Sequence, residues 1–230
     1  PIASDTQTIT ITIVGTNDTP NISVESGNSD KATINETNST LNANGTLSVK
    51  DLDTTDVITT SYEVVSVQKS LNGNVMPTDK NEPINQLLKD MLTITQTPID
   101  GTTQTGIINW TFNSNGETFD YLASGETLTL TYTIKASDDN NPIASDTQTI
   151  TITIVGTNDL PQIDASTVSS IDNSTTTVTV MGGISFSDVD KTNTLNASFE
   201  KTTSTIISTK KASDNSSFSL NQTAIDKLKE

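Results

Sequence analysis

The 230-residue chain carries 28 Asp and Glu residues against 12 Lys, for a formal net charge of −16, and it contains no His, Arg or Cys. This composition excludes Ser-His-Asp and Cys-His triads, the usual zinc sites, disulfides and bidentate Arg contacts with phosphate. The negative charge disfavours nucleic acid and anionic lipid, and no apolar run approaches the roughly 18 residues that span a bilayer. We therefore predict a protein that is not an enzyme, binds no nucleic acid and does not insert into a membrane.

An internal repeat organises the chain. Residues Pro1–Asp18 recur without change as Pro142–Asp159, and the segment Gly45–Glu63 parallels Gly183–Glu200. Chance does not produce the first match, so we expect a duplicated unit and a longer natural protein that carries an array of such units. The predicted domains are residues 1–18, the closing strand of a preceding repeat; residues 19–159, a complete repeat; and residues 160–230, the truncated first half of the next repeat.

In chain order, the first element predicted with a distinct signal in the complete repeat is a short helix. A proline is tolerated in the first turn of a helix, and Pro83 is followed by apolar residues at helical spacing. These residues are Ile84, Leu87, Leu88 and Met91. We expect an insertion that packs on the rest of the fold and carries no chemistry.

Strict alternation of apolar and polar residues predicts strands farther along the chain. The apolar side chains of Ile108, Trp110 and Phe112 alternate with polar ones, and the same pattern continues through Thr127–Ala136 and Thr149–Ile154. Such alternation indicates strands with one buried and one solvent-facing side. Several strands of this kind predict an all-β fold, namely tandem antiparallel β-sandwiches of the immunoglobulin or cadherin type, with Trp110 in the core.

Acidic and amide side chains collect in the turns of both copies. In an extended segment, side chains at positions i and i+2 point to the same side, so the two carboxylates of a DxD pair converge. Calcium is bound by roughly 6 to 8 oxygen ligands, and these turns supply carboxylate, amide and backbone oxygens. For any single pair, an ordinary Asx-turn explains the residues equally well, but the DxD and ND motifs recur in both copies. The candidate Ca²⁺ ligands are Asn17, Asp18, Asp51, Asp53, Asp138, Asn158, Asp159, Asp188 and Asp190.

An EF-hand does not explain the DLDTTD segment. With Asp51 as the first position of a calcium loop, Asp56 occupies the place of the required Gly and Tyr62 that of the bidentate Glu. We therefore expect ligands gathered from several loops at one end of a sandwich.

The segment Tyr132–Pro161 resembles the closing third of a cadherin-type repeat, with an alternating strand, an AxD turn, a last strand and an xND linker followed by Pro. Together with IINWTF and FDYLASGETLTLTYTIKASD, it is similar to the VCBS-type repeats of large bacterial adhesins of the RTX class. The resemblance covers most of residues 19–159. It implies extracellular domains stacked end to end on a bacterial surface, acting in cell adhesion and biofilm formation, with neighbouring repeats of the same chain as partners.

The resemblance also implies which residues meet. Asn17 and Asp18 would join Asp51, Asp53 and Asp138 at one junction, and at the other junction Glu126 or Asp120 would reach toward the second set of ligands (Asn158, Asp159, Asp188 and Asp190). The chain departs from the family pattern in two ways. Gly15 and Gly156 replace the Asp that opens the family's linker, and the early Pro-Glu pair is missing. One or two ions per junction are therefore expected.

The function implied is structural: a calcium-stabilised extender module in which Ca²⁺ stiffens the GTND linkers. The alternative is an adhesin module that binds a glycan or a host protein, although aromatic residues make up only 4% of the chain. Ice binding by Thr ladders and hydrolysis by paired carboxylates fit less well. Only two or three Thr align before a turn, and the acids lie in predicted turns rather than in a cleft.

Overall fold

Strands account for nearly all of the regular structure. The computed structural model describes residues 1–75, 84–168, 182–196 and 198. The chain divides into the units Pro1–Asn193 and Thr194–Glu230, and everything below concerns the first unit. In chain order, its elements are β1 (Asn21–Ser23), β2 (Lys31–Asn35), β3 (Asn42–Lys50), β4 (Val57–Leu71), β5 (Asn74–Val75), α1 (Ile84–Lys89), β6 (Leu92–Ile94), β7 (Ile99–Asp100), β8 (Thr105–Asn113), β9 (Glu126–Ser137), β10 (Ser145–Val155), β11 (Gln162–Val168) and β12 (Gly182–Ser187).

The complete repeat is a β-sandwich, as the sequence predicts. One sheet has the strand order β1-β3-β8-β6, and the other has the order β2-β10-β9-β4-β5, with β7 paired to the start of β4. All pairs are antiparallel except that of β2 with β10, which is parallel and in which Thr151 lies opposite Lys31. The first strands of the repeat are therefore split between the two sheets, and β2 runs beside the last strand.

The core lies between the two sheets and follows the predicted alternation. On β9 and β10 the inward side chains are fully buried, including Leu130, Tyr132 and Ile152, while the intervening Thr side chains face outward. Trp110 is buried as predicted and donates its indole N–H to the carbonyl of Ser29 at 2.7 Å. A Cβ on Gly45, the cross-strand partner of Trp110, would lie 2.4 Å from the indole ring, so only glycine fits there.

The short helix α1 begins at Ile84 and is pinned by two tyrosines. Tyr132 donates its hydroxyl to the carbonyl of Leu88 at 2.9 Å, and Tyr62 donates its hydroxyl to the carbonyl of Lys89 at 3.2 Å and to that of Leu92 at the start of β6. Of the predicted apolar face, Leu88 and Met91 are buried and Leu87 is 45% exposed; the side chain of Ile84 lies outside the described residues. Within the ranges that the structure describes, no helix is long and apolar enough to cross a membrane.

The two identical segments adopt different structures. In the second copy, Ile150, Ile152 and Ile154 are buried in β10, between β9 and β2. In the first copy the corresponding residues belong to residues 1–20, which form no strand, and Ile9 and Ile11 are more than four-fifths exposed. Because the local sequence is the same, the strand depends on the sheets that flank it rather than on propensity.

The hairpin β11–β12 repeats the pairing of β1 with β3. In the complete repeat, Ile22 lies opposite Val49. In the second copy, Ile163 lies opposite Phe186, at the corresponding positions of the aligned sequences. The second copy therefore starts the same fold in the same register. Of residues 160–230, positions 169–181, 197 and 199–230 lie outside the described residues, so the predicted extent of this half-repeat stays a prediction.

Candidate metal centre at the repeat junctions

The sandwich topology gathers the acidic turns at opposite ends of the repeat. β4 starts where the antiparallel β9 ends, and Thr59 pairs with Ser137 there. The turn between β3 and β4 and the turn after β9 therefore meet at one end. At the other end, the parallel pairing brings the residue after β2 next to the residues after β10, because parallel strands end on the same edge.

At the first end, three carboxylates from one turn converge. The ligand oxygens of Asp51, Asp53 and Asp56 all lie within 4.8 Å of one another. Asp51 is 1% exposed and Asp56 5% exposed. We call these three residues the first acidic cluster. Two of them, Asp51 and Asp53, were predicted as ligands from the DxD motif, whereas Asp56 was not.

Asparagine amides connect the first cluster to the linker and to the turn after β9. Asn17 donates to Asp138 Oδ2 at 2.8 Å, and Asn140 donates to Asn17 Oδ1 at 2.6 Å and also to Asp56. Asp138 is buried and also accepts the backbone N–H of Ala144 at 2.9 Å. The predicted ligands Asn17 and Asp138 are thus in direct contact with each other. The amide N–H groups of Asn17 and Asn140 partly offset the negative charge of the carboxylates to which they donate.

At the second end, three carboxylates from different parts of the chain converge. Glu36 follows β2, Asp120 lies in the turn before β9, and Asp159 follows β10. One oxygen of each lies within 4.8 Å of the others. We call these the second acidic cluster. Asp159 was a predicted ligand and Asp120 one of two candidates, while Glu36 was missed because the alternating strand KATIN before it carries no recognised motif.

Successive backbone N–H groups of the second linker, those of Gly156 and Thr157, are each held by a hydrogen bond. Gly156 donates its N–H to the carbonyl of Glu126 at 2.9 Å, and Thr157 donates its N–H to Glu36 Oε1 at 2.9 Å. A Cβ on Gly156 would lie 2.3 Å from the carbonyl oxygen of Leu122. This glycine therefore permits a close approach of two backbones, and a larger side chain such as Asp would not fit at this position.

Both linkers dock on the following DxD turn with the same hydrogen bonds. Asp18 donates its N–H to Asp53 Oδ2 at 2.7 Å, and Asp159 donates its N–H to Asp190 Oδ2 at 3.0 Å. Within each turn, the second Asp donates its N–H to the first, at 2.9 Å for Asp51 and at 3.0 Å for Asp188. The predicted ND and DxD residues therefore meet at both junctions.

Asn158 completes the predicted set at the second junction. Its Oδ1 accepts a hydrogen bond from Asn193 at 3.5 Å, and Asn193 donates to Asp190 Oδ2 at 2.8 Å. In the aligned turns, Asn193 corresponds to Asp56, so the second copy has an amide where the first has a carboxylate.

Glu126 is in a different environment from the other candidates. Its carboxylate is fully buried, pairs with Lys69 Nζ at 2.9 Å and accepts the N–H of Ala123 at 3.1 Å. It belongs to neither acidic cluster. Its contacts hold the turn that carries Asp120. The structure therefore gives Glu126 a positioning role, and its oxygens do not converge with those of the other acidic residues.

Buried carboxylate oxygens without a hydrogen-bond partner occur at both junctions. In the part of the chain that the structure describes, every buried side-chain polar atom without a hydrogen-bond partner is a carboxylate oxygen. Glu36, Asp51 and Asp190 are each at most 2% exposed, and each uses one oxygen for a protein hydrogen bond while the other has none. Buried polar atoms normally have partners, so this set requires an explanation. The atoms without partners are Glu36 Oε2, Asp51 Oδ2, Asp120 Oδ1, Glu126 Oε1, Asp159 Oδ2 and Asp190 Oδ1.

The close approach of these carboxylates raises the pKa of two of them, Asp159 and Asp51. Desolvation raises the pKa of Asp159 above its ordinary value, and the neighbouring charges of Glu36 and Asp120 raise it further. Desolvation also raises the pKa of Asp51, against the lowering effect of the hydrogen bond from Asp53 N–H, and the charge of Asp56 adds to the rise. Like charges held close together disfavour ionisation, and a bound cation would relieve that cost.

The second cluster opens on a cavity of about 150 Å³. Asp120, Asp159 and Asp188 contribute to its wall, together with the amide side chains of Asn38 and Gln162. The volume is sufficient for an ion with several waters, since one water occupies about 30 Å³ in the liquid. Three of the residues that line it are aspartates, and carboxylate oxygens are ligands that Ca²⁺ prefers.

Comparisons with known proteins give only distant structural likenesses. No family model matches the chain, and no curated protein matches it. Among solved structures, it is similar to a PapD-like domain of human CEP192, with 11% identity over 68% of this chain and 97% of that chain and a TM-score of 0.36. The CooA pilin subunit of enterotoxigenic Escherichia coli is 12% identical, with 60% of this chain and 99% of that chain covered and a TM-score of 0.34. AggA, the major subunit of aggregative adherence fimbriae type I of Escherichia coli, is 10% identical, with coverages of 61% and 97% and a TM-score of 0.35. The resemblance to VCBS-type repeats therefore stays a prediction.

Proposed function

We propose that this chain is part of a calcium-stiffened extender of a bacterial surface adhesin, in which each β-sandwich is a structural spacer and Ca²⁺ binds at the junctions between spacers. The proposal places the protein outside the cell, with neighbouring repeats as its partners and without a catalytic role. The observation that carries it is the set of buried carboxylate oxygens without hydrogen-bond partners, four of which belong to the acidic clusters: Asp51 to the first, and Glu36, Asp120 and Asp159 to the second.

The arrangement of the ligands supports this choice of cation. At the second junction, Glu36 and Asp120 belong to one repeat, Asp190 belongs to the next, and Asp159 lies in the linker between them. A cation held by all of them would join the two repeats. Carboxylates and amide carbonyls are hard oxygen ligands, and the chain has no His or Cys that would favour a transition metal.

The expected effect on stability follows from mass action. A cation that binds only the folded chain stabilises it by about 2.7 kcal/mol when its concentration is 100 times the Kd. Extracellular calcium modules have Kd values of about 10⁻⁴ to 10⁻³ M. We therefore expect 10 mM Ca²⁺ to raise the melting temperature, monitored by the fluorescence of the buried Trp110, relative to EDTA.

Two variants that each remove one negative charge test whether the calcium-dependent rise in melting temperature arises at the junctions. Asp190→Asn keeps the shape of the side chain and removes one ligand charge, so it should reduce the calcium-dependent rise. Glu63→Gln removes one charge from an exposed position on β4 and should leave the rise unchanged. A melting temperature that is the same in EDTA, in Mg²⁺ and in Ca²⁺ for the parent chain would contradict the proposal.

A further inference from the structure

A cation–π contact crosses the second junction without using any of the acidic residues. Lys191 Nζ lies 4.9 Å from the ring centroid of Tyr121. Tyr121 belongs to the turn before β9 of the complete repeat, and Lys191 directly follows the DxD turn of the next copy. The distance is within the roughly 6 Å over which an ammonium group is attracted to an aromatic face.

The complete repeat holds the ring of Tyr121 from its own side. The ring packs against the fully buried Phe119, with centroids 6.2 Å apart. Lys69 Nζ lies 5.9 Å from the same ring, and Lys69 is itself fixed by its ion pair with the buried Glu126. The ring is therefore positioned by contacts within one repeat, and Lys191 docks on a prearranged surface.

The contact is specific to one of the two copies. Alignment of Asp51-Leu52-Asp53 with Asp188-Val189-Asp190 places Thr54 at the position of Lys191. Both turns dock on their linkers with the same hydrogen bonds, so the backbone does not distinguish them. Only the second copy has a side chain with a positive charge at this position, and threonine cannot replace it.

We propose that Lys191 and Tyr121 form a clasp that keeps adjacent repeats aligned when no divalent cation is bound, and that the residue after the DxD motif decides which junctions have it. The clasp lies beside Asp120, so it keeps the carboxylates of the two repeats near each other before a cation arrives. It rests on the proposed function only in that the two copies are neighbours along an array. The calcium proposal is independent of it.

A double-mutant cycle in the full 230-residue chain tests the clasp. The chain has no cysteine, so Glu63→Cys and Ser185→Cys, both at exposed positions, give two clean spin-label sites on either side of the junction. In EDTA, Lys191→Thr or Tyr121→Leu should each lower the ratio of aligned to misaligned molecules about two- to fivefold, the usual strength of an exposed cation–π pair. The double variant should be no worse than either single variant.

Control variants separate the clasp from general effects. Tyr121→Phe keeps the aromatic face and should retain the parental distance distribution, and Lys135→Thr removes the same charge from an exposed site on β9 and should also retain it. Circular dichroism and Trp110 fluorescence verify that each variant is folded. If the two single-variant effects multiply in the double variant, or if Lys135→Thr has the same effect as Lys191→Thr, the clasp is wrong.

Added Ca²⁺ distinguishes this inference from the proposed function. If both hold, 10 mM Ca²⁺ narrows the distance distribution of every variant. If Ca²⁺ changes none of them while the coupling between Lys191 and Tyr121 persists in EDTA, the calcium proposal fails and the clasp stands. If Ca²⁺ narrows all distributions and the coupling is absent, the reverse holds.

Discussion

Glu36 Oε1 accepts the backbone N–H of Thr157 at 2.9 Å, so a carboxylate that follows β2 holds the peptide that leaves β10. The other oxygen of Glu36 is buried and has no partner. One carboxylate thus fixes the linker and also presents a free oxygen to the second acidic cluster.

The first prediction concerns Glu36→Gln. The Gln carbonyl oxygen can still accept the Thr157 N–H, but the charge that crowds Asp159 is removed. We therefore expect the variant to be at least as stable as the parent in EDTA and to show a smaller calcium-dependent rise in melting temperature. Differential scanning calorimetry in EDTA and in 10 mM Ca²⁺ measures both. A variant that responds to Ca²⁺ as strongly as the parent would remove Glu36 from the proposed site.

The second prediction concerns pH in the absence of cations. The pKa of Asp159 is raised above its ordinary value of 3.8 in the folded chain. The folded chain therefore binds a proton at Asp159 more readily than the unfolded chain does. The resulting contribution to the free energy of unfolding is fully present below pH 3.8 and is lost as the pH rises through the folded-state pKa. In EDTA, Asp159→Asn should match the parent at low pH and exceed it at neutral pH. Urea unfolding across this range tests the difference, and saturating Ca²⁺ should reverse its sign.

The third prediction compares two glycines in the same sequence context. A Cβ on Gly156 would lie 2.3 Å from the Leu122 carbonyl oxygen, whereas a Cβ on Gly15 would have no atom within 4 Å. Gly156→Ala should therefore destabilise the complete repeat by about 1–3 kcal/mol, the usual cost of overpacking. Gly15→Ala should change the free energy of unfolding by less than about 0.5 kcal/mol. Equal effects at the two sites would contradict the close packing of this linker.

The fourth prediction uses the two copies of the TITITI strand. Ile152 is fully buried, and its counterpart Ile11 is 81% exposed. Ile152→Ala should cost about 2–5 kcal/mol, because it removes core contacts and leaves a cavity. Ile11→Ala should leave the unfolding of the complete repeat unchanged. Chemical denaturation monitored at Trp110 compares them, and a loss at Ile11 comparable to that at Ile152 would mean that this segment is buried in solution.

The fifth prediction concerns alkaline pH. Burial raises the pKa of Tyr132, and the neutral hydroxyl donates to the carbonyl of Leu88. The contribution of Tyr132 to the free energy of unfolding is fully present below pH 10, the ordinary pKa of tyrosine, and is lost as the pH rises through the folded-state pKa. Tyr132→Phe should lose about 1–3 kcal/mol at neutral pH, because a buried carbonyl loses its donor, and its stability should depend less on pH above 10. A parent and variant that lose stability in parallel above pH 10 would assign the alkaline transition to other groups.

Sequence alone identified the parts of this molecule that have a short-range signal. Alternation predicted β8, β9 and β10, the buried Trp110 and the sandwich, because the polar and apolar faces of these strands are encoded residue by residue. Recurrence of ND and DxD motifs identified residues that the structure brings together at both junctions. The parallel pairing of β2 with β10 had no such signal, since it depends on contacts between residues far apart in the chain.

Glu36 and Asp56 belong to the acidic clusters but were not predicted, because no short-range sequence signal marks them. Glu36 meets the second cluster only because β2 ends beside β10, and Asp56 joins the first cluster through the turn that follows the DxD pair. Glu126 shows the opposite case. The family resemblance implied a ligand role for Glu126, but its carboxylate forms an ion pair with Lys69, which lies far away in sequence.

The side-by-side arrangement of β2 and β10 has a mechanical consequence. The chain enters the sandwich at the end where Asn21 pairs with Lys50 and leaves it at the opposite end after Val155. In the proposed array, tension therefore pulls along the strands, and the hydrogen bonds that cross them are loaded together in shear rather than opened one after another. A β-sandwich with this strand arrangement resists stretching through its backbone pairing, whichever ligand is bound at its ends.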